Sequence, residues 1–207
     1  MKDKAHTTGR TERGLLVLIV GPSCVGKTTI TERLKEKYPN AGELISTTTR
    51  PPREGEKEGV HYEFTTGEDF LARERVGGFY ETAKYCGHHY GTSRAQVETL
   101  LKRYPVVFGV LNVQGCRAVK SRMPDTLVVF IVPGALREIE VRLRARRSAT
   151  EEEVRKRLDE AREEMGCAHE FGIPIKNVDG ELENALAAVA NRINERFTTT
   201  TAPPLSP

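Results

Sequence analysis

The sequence predicts an α/β fold with a doubly wound parallel sheet. Three largely apolar segments, at 15–20, 106–110 and 127–132, have the length and composition of strands. Apolar runs without polar alternation are typical of strands that are buried on both faces of a parallel sheet. Each run is followed by a segment with helical periodicity, and strands that alternate with helices indicate a doubly wound arrangement.

The first strand leads directly into a phosphate-binding pattern. Residues 21–28 read Gly21-Pro22-Ser23-Cys24-Val25-Gly26-Lys27-Thr28. They match G-x-x-x-x-G-K-[ST], the phosphate-binding loop (P-loop) of nucleotide-hydrolysing and nucleotide-transferring proteins. Its glycines allow a tight turn whose N–H groups face one anion, and the helix predicted at 28–38 adds further N–H groups. Lys27 can contact the β- and γ-phosphates of ATP, and the Thr28 hydroxyl can ligate Mg²⁺.

The remaining chain continues the alternation, apart from one region. Helices are predicted at 93–103, 114–122, 135–146, from Thr150 to about His169, and at 181–197, with a short strand at 173–176. Thr150 and Glu153 form a T-x-x-E capping box at the start of one helix. From about 43 to 92 the chain holds short β-like pieces at 60–64 and 78–83 and a Gly/His/Tyr-rich turn at 86–91. We interpret this region as an inserted subdomain.

Composition narrows the functional classes. The formal net charge of +3 does not indicate a nucleic-acid partner, and no apolar run approaches the roughly 20 residues of a membrane span. The polar N-terminus has no secretory pattern, so we expect a cytoplasmic protein. The four cysteines form no C-x-x-C pair and are expected to be reduced thiols. Residues 1–13 and 198–207 are expected to be disordered.

Several motifs resemble those of the guanylate kinase family, in the same order. Residues 46–56, S-T-T-T-R-P-P-R-E-G-E, resemble the S-x-T-T-R-x-P-R-x-G-E signature of that family. The similarity continues over 14–197, through His61-Tyr62-Glu63-Phe64, Glu81-Thr82-Ala83, Tyr90-Gly91-Thr92, Gln114-Gly115, the lid-like stretch 142–158 and Asn177-Val178-Asp179. Several ordered motifs are more specific than a P-loop alone.

The resemblance implies a reaction and a division of the chain. The family catalyses ATP + GMP ⇌ ADP + GDP with Mg²⁺. Its fold is a P-loop nucleoside-triphosphatase core with an inserted monophosphate-binding subdomain and a helical lid. On this sequence the resemblance implies a GMP-binding subdomain at 43–92 and a lid at 141–158, with a core at 14–42, 93–140 and 159–197. The expected partners are ATP and GMP, for a monomer or homodimer that binds neither nucleic acid nor membrane.

The chemistry of the acceptor residues fits that assignment. Arg50 and Arg53 flank two prolines, and two guanidinium forks on a stiff turn suit the phosphate of GMP. Tyr62 and Tyr90 can donate hydroxyls to the same phosphate. The Glu81 carboxylate can accept from guanine N1–H and the 2-amino group together, whereas adenine offers an acceptor at N1. By resemblance, the further GMP contacts are Ser46, Thr92 and Asn112.

The resemblance also implies the transfer machinery. The predicted catalytic residues are Lys27, Arg50, Arg146 and Arg157, with Arg142 a third lid arginine. Asn177 joins residues 21–28 as a predicted ATP contact, at the adenine side or the lid hinge. Cations placed around the transferring phosphoryl group supply most of the catalysis in such reactions.

Three departures from the family pattern keep alternatives open. The family usually has D-x-D before its Q-G, and here Val110 and Asn112 occupy the two aspartate positions. Cys24 stands where the P-loop of the family usually has glycine. Three hypotheses therefore remain: an active guanylate kinase, a kinase of the same fold for another or a modified monophosphate, and a catalytically weak binding module. The absence of attached domains argues against the last.

Overall fold

The computed structural model describes residues 13–85, 87–145 and 150–199. Most of the two segments expected to be disordered, and the predicted lid residue Arg146, lie outside these ranges. The strands are β1 (Leu15–Val20), β2 (Ala41–Leu44), β3 (Thr47–Thr48), β4 (Glu63–Phe64), β5 (Phe79–Tyr85), β6 (His88–Ser93), β7 (Val106–Val110), β8 (Leu127–Pro133) and β9 (Ile175–Asn177). The helices are α1 (Lys27–Lys37), α2 (Gly67–Arg75), α3 (Arg94–Arg103), α4 (Val113–Arg122), α5 (Leu136–Arg144), α6 (Glu151–Gly166) and α7 (Leu182–Thr199), with a 3-10 turn at Ala168–Phe171.

A five-stranded parallel sheet forms the core, in the order β2-β7-β1-β8-β9. Successive side chains of β1 alternate between two apolar layers: Leu16 and Leu18 pack on one face of the sheet, and Val17 and Ile19 on the other. Residues of α3 and α4 cover the first face, and residues of α1 and α7 cover the second. The predicted doubly wound α/β fold is therefore confirmed.

The region from 45 to 93 forms a second sheet, in the order β4-β3-β6-β5. Its strands pair mainly antiparallel, through β3 with β6 and β5 with β6. The prediction of a turn at 86–91 was wrong for most of that stretch, because residues 88–93 pair with β5 and β3 as the strand β6. Glycine and histidine obscured the strand pattern there.

Two elements near this sheet were missed from the sequence. Helix α2 is short and polar outside, and only Phe70 is buried, so its apolar periodicity was too weak to read. Its start did carry a signal, since the Thr66 side chain accepts a hydrogen bond from Asp69 N. Strand β2 was also missed, although it pairs with β7 in the large sheet. Elements of four residues leave little pattern.

Helices α5 and α6 pack on each other beside the P-loop. Their contact is a small apolar cluster formed by Ile139, Leu143, Val154, Leu158 and Ala161, against which Cys24 of the P-loop also packs. The predicted capping box of α6 is present. Within the described ranges, no helix is long and apolar enough to cross a membrane.

Candidate active site

Glycines fix the path of the P-loop at the carboxyl end of β1. Gly21 has φ 144° and Gly26 has φ 97°, values that side chains rarely tolerate. A Cβ atom on Gly21 would lie 2.2 Å from the backbone oxygen of Ile131, and one on Gly26 would lie 2.5 Å from the Asn177 side chain. Cys24 has φ 63°, so its backbone adopts the left-handed conformation for which glycine is better suited.

Lys27 is folded back over its own loop. Its Nζ atom donates to the carbonyl oxygens of Gly21 at 2.7 Å and Pro22 at 2.8 Å. Burial lowers the pKa of Lys27, and the negative charge of Glu164 on α6 opposes that shift. Thr28 follows at the N-terminal end of α1, where it is exposed. The loop therefore places the Lys27 cation and the exposed Thr28 hydroxyl at the N-terminal end of α1, where the first helix N–H groups point outward.

An open cleft lies above this loop. It has a volume of about 530 Å³, and its walls come from the P-loop, from Arg142 on α5 and from residues 177–182. Asn177 is buried at 6% exposure, and its Nδ2 atom donates to the carbonyl oxygen of Val25 at 2.8 Å. Asn177 thus holds the backbone of the loop and also lines the cleft.

Arg142 of α5 also contacts the loop. Its Nη1 atom donates to the carbonyl oxygen of Cys24 at 2.9 Å, and its Nη2 atom is paired with Asp179. Two residues more than a hundred positions away along the chain therefore hold consecutive carbonyls of the P-loop, those of Cys24 and Val25. These bonds hold the loop through its carbonyl oxygens and leave its N–H groups unused by Asn177 and Arg142.

A second charged group lies on the small sheet. Arg50 is 9% exposed, and its Nη2 atom donates to Glu56 Oε1 at 2.8 Å while its Nη1 atom donates to the carbonyl oxygen of Pro51 at 2.9 Å. Its guanidinium lies over the Tyr62 ring, 5.2 Å from the centroid. The bond to Glu56 raises the pKa of Arg50, with a smaller contribution from Tyr90. The Tyr62 and Tyr90 rings meet edge to face at 6.2 Å.

The structure therefore brings Arg50, Tyr62 and Tyr90 together, as the sequence predicted. Arg53 is exposed on the turn beyond, where its backbone N–H donates to Glu56 Oε2 at 2.8 Å. Glu56 accordingly fixes both the guanidinium of Arg50 and the backbone of Arg53. Ser46 is half-buried between β2 and β3, and its carbonyl oxygen accepts from Glu63 N at 3.0 Å.

Glu81 presents a carboxylate at the junction of the small sheet and α4. Thr92, on the adjacent strand, donates its hydroxyl to Glu81 Oε1 at 2.7 Å. Burial raises the pKa of Glu81, and the bond from Thr92 opposes the shift. A Cβ atom on Gly115 would lie 3.1 Å from Glu81 Cδ and 3.2 Å from Asn112 Oδ1. The Glu81 carboxylate and the Asn112 amide therefore converge on one point at the N-terminal end of α4.

Val110 ends β7 beside the P-loop. It pairs with Ile19 of β1, two residues before Gly21, and its side chain is half-buried. In P-loop enzymes a carboxylate at the end of a neighbouring strand helps to hold Mg²⁺. Here that place is occupied by an apolar side chain.

Comparison with known proteins now decides the family. A family model described as Guanylate kinase matches residues 13–196 of this chain. The chain belongs to the guanylate kinase family. A guanylate kinase of Thermosynechococcus vestitus is 38% identical over 187 residues, which are 90% of this chain and 97% of that protein. A guanylate kinase of Idiomarina loihiensis is 40% identical over 178 residues, which are 85% of this chain and 84% of that protein.

A solved structure agrees with this assignment. The crystal structure of guanylate kinase from Anaplasma phagocytophilum superimposes with a TM-score of 0.67 at 25% identity, covering 89% of this chain and 86% of that one. The resemblance found in the sequence is thereby confirmed at the level of the guanylate kinase family.

The lid arginines of this guanylate kinase family member are only partly described. Arg157 is half-buried on α6, one helical turn after Glu153, whose pKa it helps to lower. Arg146 lies outside the described residues, so its assignment stays a prediction. Arg142, predicted as a third lid arginine, contacts the P-loop as described above.

Three acidic residues at the site were not singled out from the sequence. Glu56 lies inside the recognised signature 46–56, three positions after Arg53, and its spacing could have suggested a partner for the arginines. Glu164 lies one turn after Ala161 on the face of α6 that packs towards Cys24. Asp179 pairs with Arg142 across the cleft, and no local pattern could have indicated that contact.

Proposed function

We propose that this protein is a guanylate kinase, which transfers the γ-phosphoryl group of ATP to GMP in the presence of Mg²⁺. The assignment of GMP as the acceptor depends on one observation. The sheet β4-β3-β6-β5 and the turn after β3 hold a buried arginine, Arg50, and a desolvated carboxylate, Glu81. An arginine suits the phosphate of a nucleoside monophosphate. A carboxylate that is poorly solvated in the free protein gains most from a base with two adjacent donors.

Guanine has such donors, and adenine has not. The N1–H and the 2-amino group lie side by side, so the carboxylate of Glu81 can accept from both. Adenine would leave Glu81 facing an acceptor nitrogen in a partly desolvated place. A site built to bond a donor on its substrate rejects an analogue that lacks the donor by about 10⁴-fold or more.

On the donor side, Lys27 exchanges its two loop carbonyls for the β- and γ-phosphates of ATP. The P-loop N–H groups and the N-terminal end of α1 receive the same phosphates. Arg157, and Arg146 by resemblance, supply further positive charge to the transferring group. No residue needs to remove a proton, because the acceptor oxygen belongs to a phosphate anion.

The described part of the chain offers few ligands of its own for Mg²⁺. Within residues 13–85, 87–145 and 150–199, no cluster of three or more His, Cys, Asp or Glu side chains could hold a metal ion. Mg²⁺ commonly retains waters and binds through substrate phosphates, so the exposed hydroxyl of Thr28 fits it as a single protein ligand. When bound, Mg²⁺ neutralises charge on the phosphoryl oxygens.

The same proposal covers the division of the chain and its setting. We infer that 43–92 binds GMP, that 141–158 acts as the lid and that the protein works in the cytoplasm. Val110 and Asn112 favour a second candidate, a kinase of the same fold for another monophosphate, because both stand where the family has aspartate.

A coupled assay of ADP formation tests the proposal. The purified protein is given ATP and Mg²⁺ with GMP, dGMP, AMP, CMP, UMP or no acceptor. We expect turnover with GMP to exceed turnover with AMP, CMP and UMP by more than about 10³-fold. Dominant turnover with a different base would select the second candidate. A folded protein that binds ATP but phosphorylates none of the acceptors would contradict both.

A further inference from the structure

Asn112 uses its carbonyl oxygen within the fold. Its Oδ1 atom accepts a hydrogen bond from Gly115 N at 2.7 Å and caps the N-terminal end of α4. The orientation of the amide is determined by that bond, because the opposite orientation would place the NH₂ group against a backbone N–H. The group that this bond leaves unused is therefore Nδ2, a donor, while Oδ1 keeps only its second lone pair.

That donor lies beside the carboxylate that we assign to the base. The Oδ1 atom of Asn112 and the Oε2 atom of Glu81 would both lie 3.2 Å from a Cβ atom placed on Gly115. Asn112 is exposed, so its free amide hydrogens are accessible to a ligand at this point. A base that donates N1–H to Glu81 would bring its 2-position into the same small space.

Asn112 therefore meets the purine 2-position differently from an aspartate at the same place in the chain. An aspartate can cap α4 with one oxygen and accept from the guanine amino group with the other. Asn112 caps α4 with its single oxygen, and its other group, Nδ2, is a donor like the guanine amino group, so the second acceptor oxygen that an aspartate would provide is missing. Recognition of the 2-amino group at this point therefore has the carboxylate of Glu81 but no second carboxylate beside it.

We propose that Asn112 relaxes the specificity of the acceptor site at the purine 2-position. The site then discriminates less strongly against 6-oxopurine monophosphates that lack the 2-amino group, of which inosine monophosphate (IMP) is the simplest. IMP keeps the N1–H that Glu81 requires and presents no donor towards Asn112. This inference rests on the proposed function, because it assumes that Glu81 reads the base.

The test compares Asn112→Asp with the unchanged protein. Two ratios are measured: kcat/KM for GMP over kcat/KM for IMP at saturating ATP, and, without ATP, the dissociation constant of IMP over that of GMP. Aspartate restores an acceptor while it keeps the helix cap, so we expect both ratios to rise by about tenfold in a protein that stays folded. Asn191→Asp, on the exposed side of α7, makes the same chemical change elsewhere and is expected to leave the ratios unchanged.

The outcomes separate the two proposals. An unchanged GMP-to-IMP ratio in a folded Asn112→Asp protein, for both turnover and binding, would overturn the role of Asn112. A protein that turns over neither monophosphate contradicts the proposed function, and the binding ratio then decides the role of Asn112 on its own. A rise in that ratio supports the specificity role, and no rise overturns it.

Discussion

The donor and acceptor halves of the site hold their charged groups in different ways. In the donor half, Lys27 is bonded to carbonyls of its own loop, and Asn177 and Arg142 hold two further loop carbonyls. In the acceptor half, Arg50 is paired with Glu56, and Glu81 is bonded to Thr92. The donor half therefore depends on backbone conformation, and the acceptor half on pairs of side chains.

This difference indicates which substitutions each half tolerates. The P-loop is sensitive to substitutions that change its φ angles or remove Lys27. The residues around it can vary as long as the carbonyl oxygens of the loop stay hydrogen-bonded. A site built from paired side chains is sensitive to any change of charge or donor pattern, as Asn112 illustrates.

Removal of the P-loop cation should have the largest effect. In Lys27→Ala the β- and γ-phosphates lose their point charge, and we expect kcat to fall by about 10³-fold, near the upper end for a single preorganised charged donor. Steady-state ADP formation measures it, with Lys37→Ala on the same helix as a control. Turnover within tenfold of the unchanged protein would contradict the assigned role.

Restoring a carboxylate beside the P-loop should increase metal affinity. Val110→Asp places an anion at the end of β7, where it can receive water molecules bound to Mg²⁺. We expect the Mg²⁺ concentration for half-maximal activity to fall by about tenfold, in line with other outer-shell ligands. Val110→Asn has nearly the same shape without the charge and should give no gain. The same half-maximal Mg²⁺ concentration in Val110→Asp and Val110→Asn would contradict this role for a carboxylate at position 110.

Glu81 should make stability depend on pH in one direction. Its pKa is raised by burial, so the folded protein binds a proton more tightly than the unfolded chain. Stability is then greatest below the ordinary glutamate pKa of about 4.3 and falls as pH rises through the raised value. Glu81→Gln lacks this loss. We expect urea unfolding to show that the free energy of unfolding of Glu81→Gln, relative to that of the unchanged protein, increases from pH 4.5 to pH 7. A difference that stays constant with pH would argue against a desolvated carboxylate.

The smallest effect concerns backbone strain at Cys24. A left-handed φ costs an ordinary residue about 1 kcal/mol or more, and glycine escapes that cost. Cys24→Gly and Cys24→Ala both lose the sulfur that packs on the α5–α6 cluster, but only alanine keeps the strained Cβ. We expect the glycine variant to unfold with a free energy about 1 kcal/mol higher than the alanine variant. Equal stability of the two would show that the loop relaxes around Cβ.

The contrast between the halves also explains what the sequence could predict. The strand β1, the P-loop and the capping box of α6 are continuous patterns, so their residues are adjacent and readable. The contacts of Asn177 with Val25 and of Arg142 with Cys24 join distant parts of the chain, and no local pattern encodes them. The cap that Asn112 provides was also not predicted, because the helix was expected to start at Gln114 rather than at Val113.

In the acceptor half, the motif predicted Arg50, Tyr62 and Tyr90. It did not predict Glu56, the partner that orients Arg50. Glu56 becomes visible as a partner only when the turn folds and brings its two oxygens to Arg50 and Arg53. Strand β6 was missed for a related reason. Its identity depends on pairing with β5 and β3, and not on its own composition.

Separate binding measurements with the two nucleotides show whether the donor and acceptor halves of the site are independent. Calorimetric titration of ATP with Mg²⁺, and of GMP, is carried out on the unchanged protein, on Lys27→Ala and on Glu81→Gln. We predict that Lys27→Ala weakens ATP and leaves GMP within about twofold, and that Glu81→Gln weakens GMP by about tenfold or more and leaves ATP unchanged. Equal weakening of both nucleotides by either substitution would contradict a site built from two independently held halves.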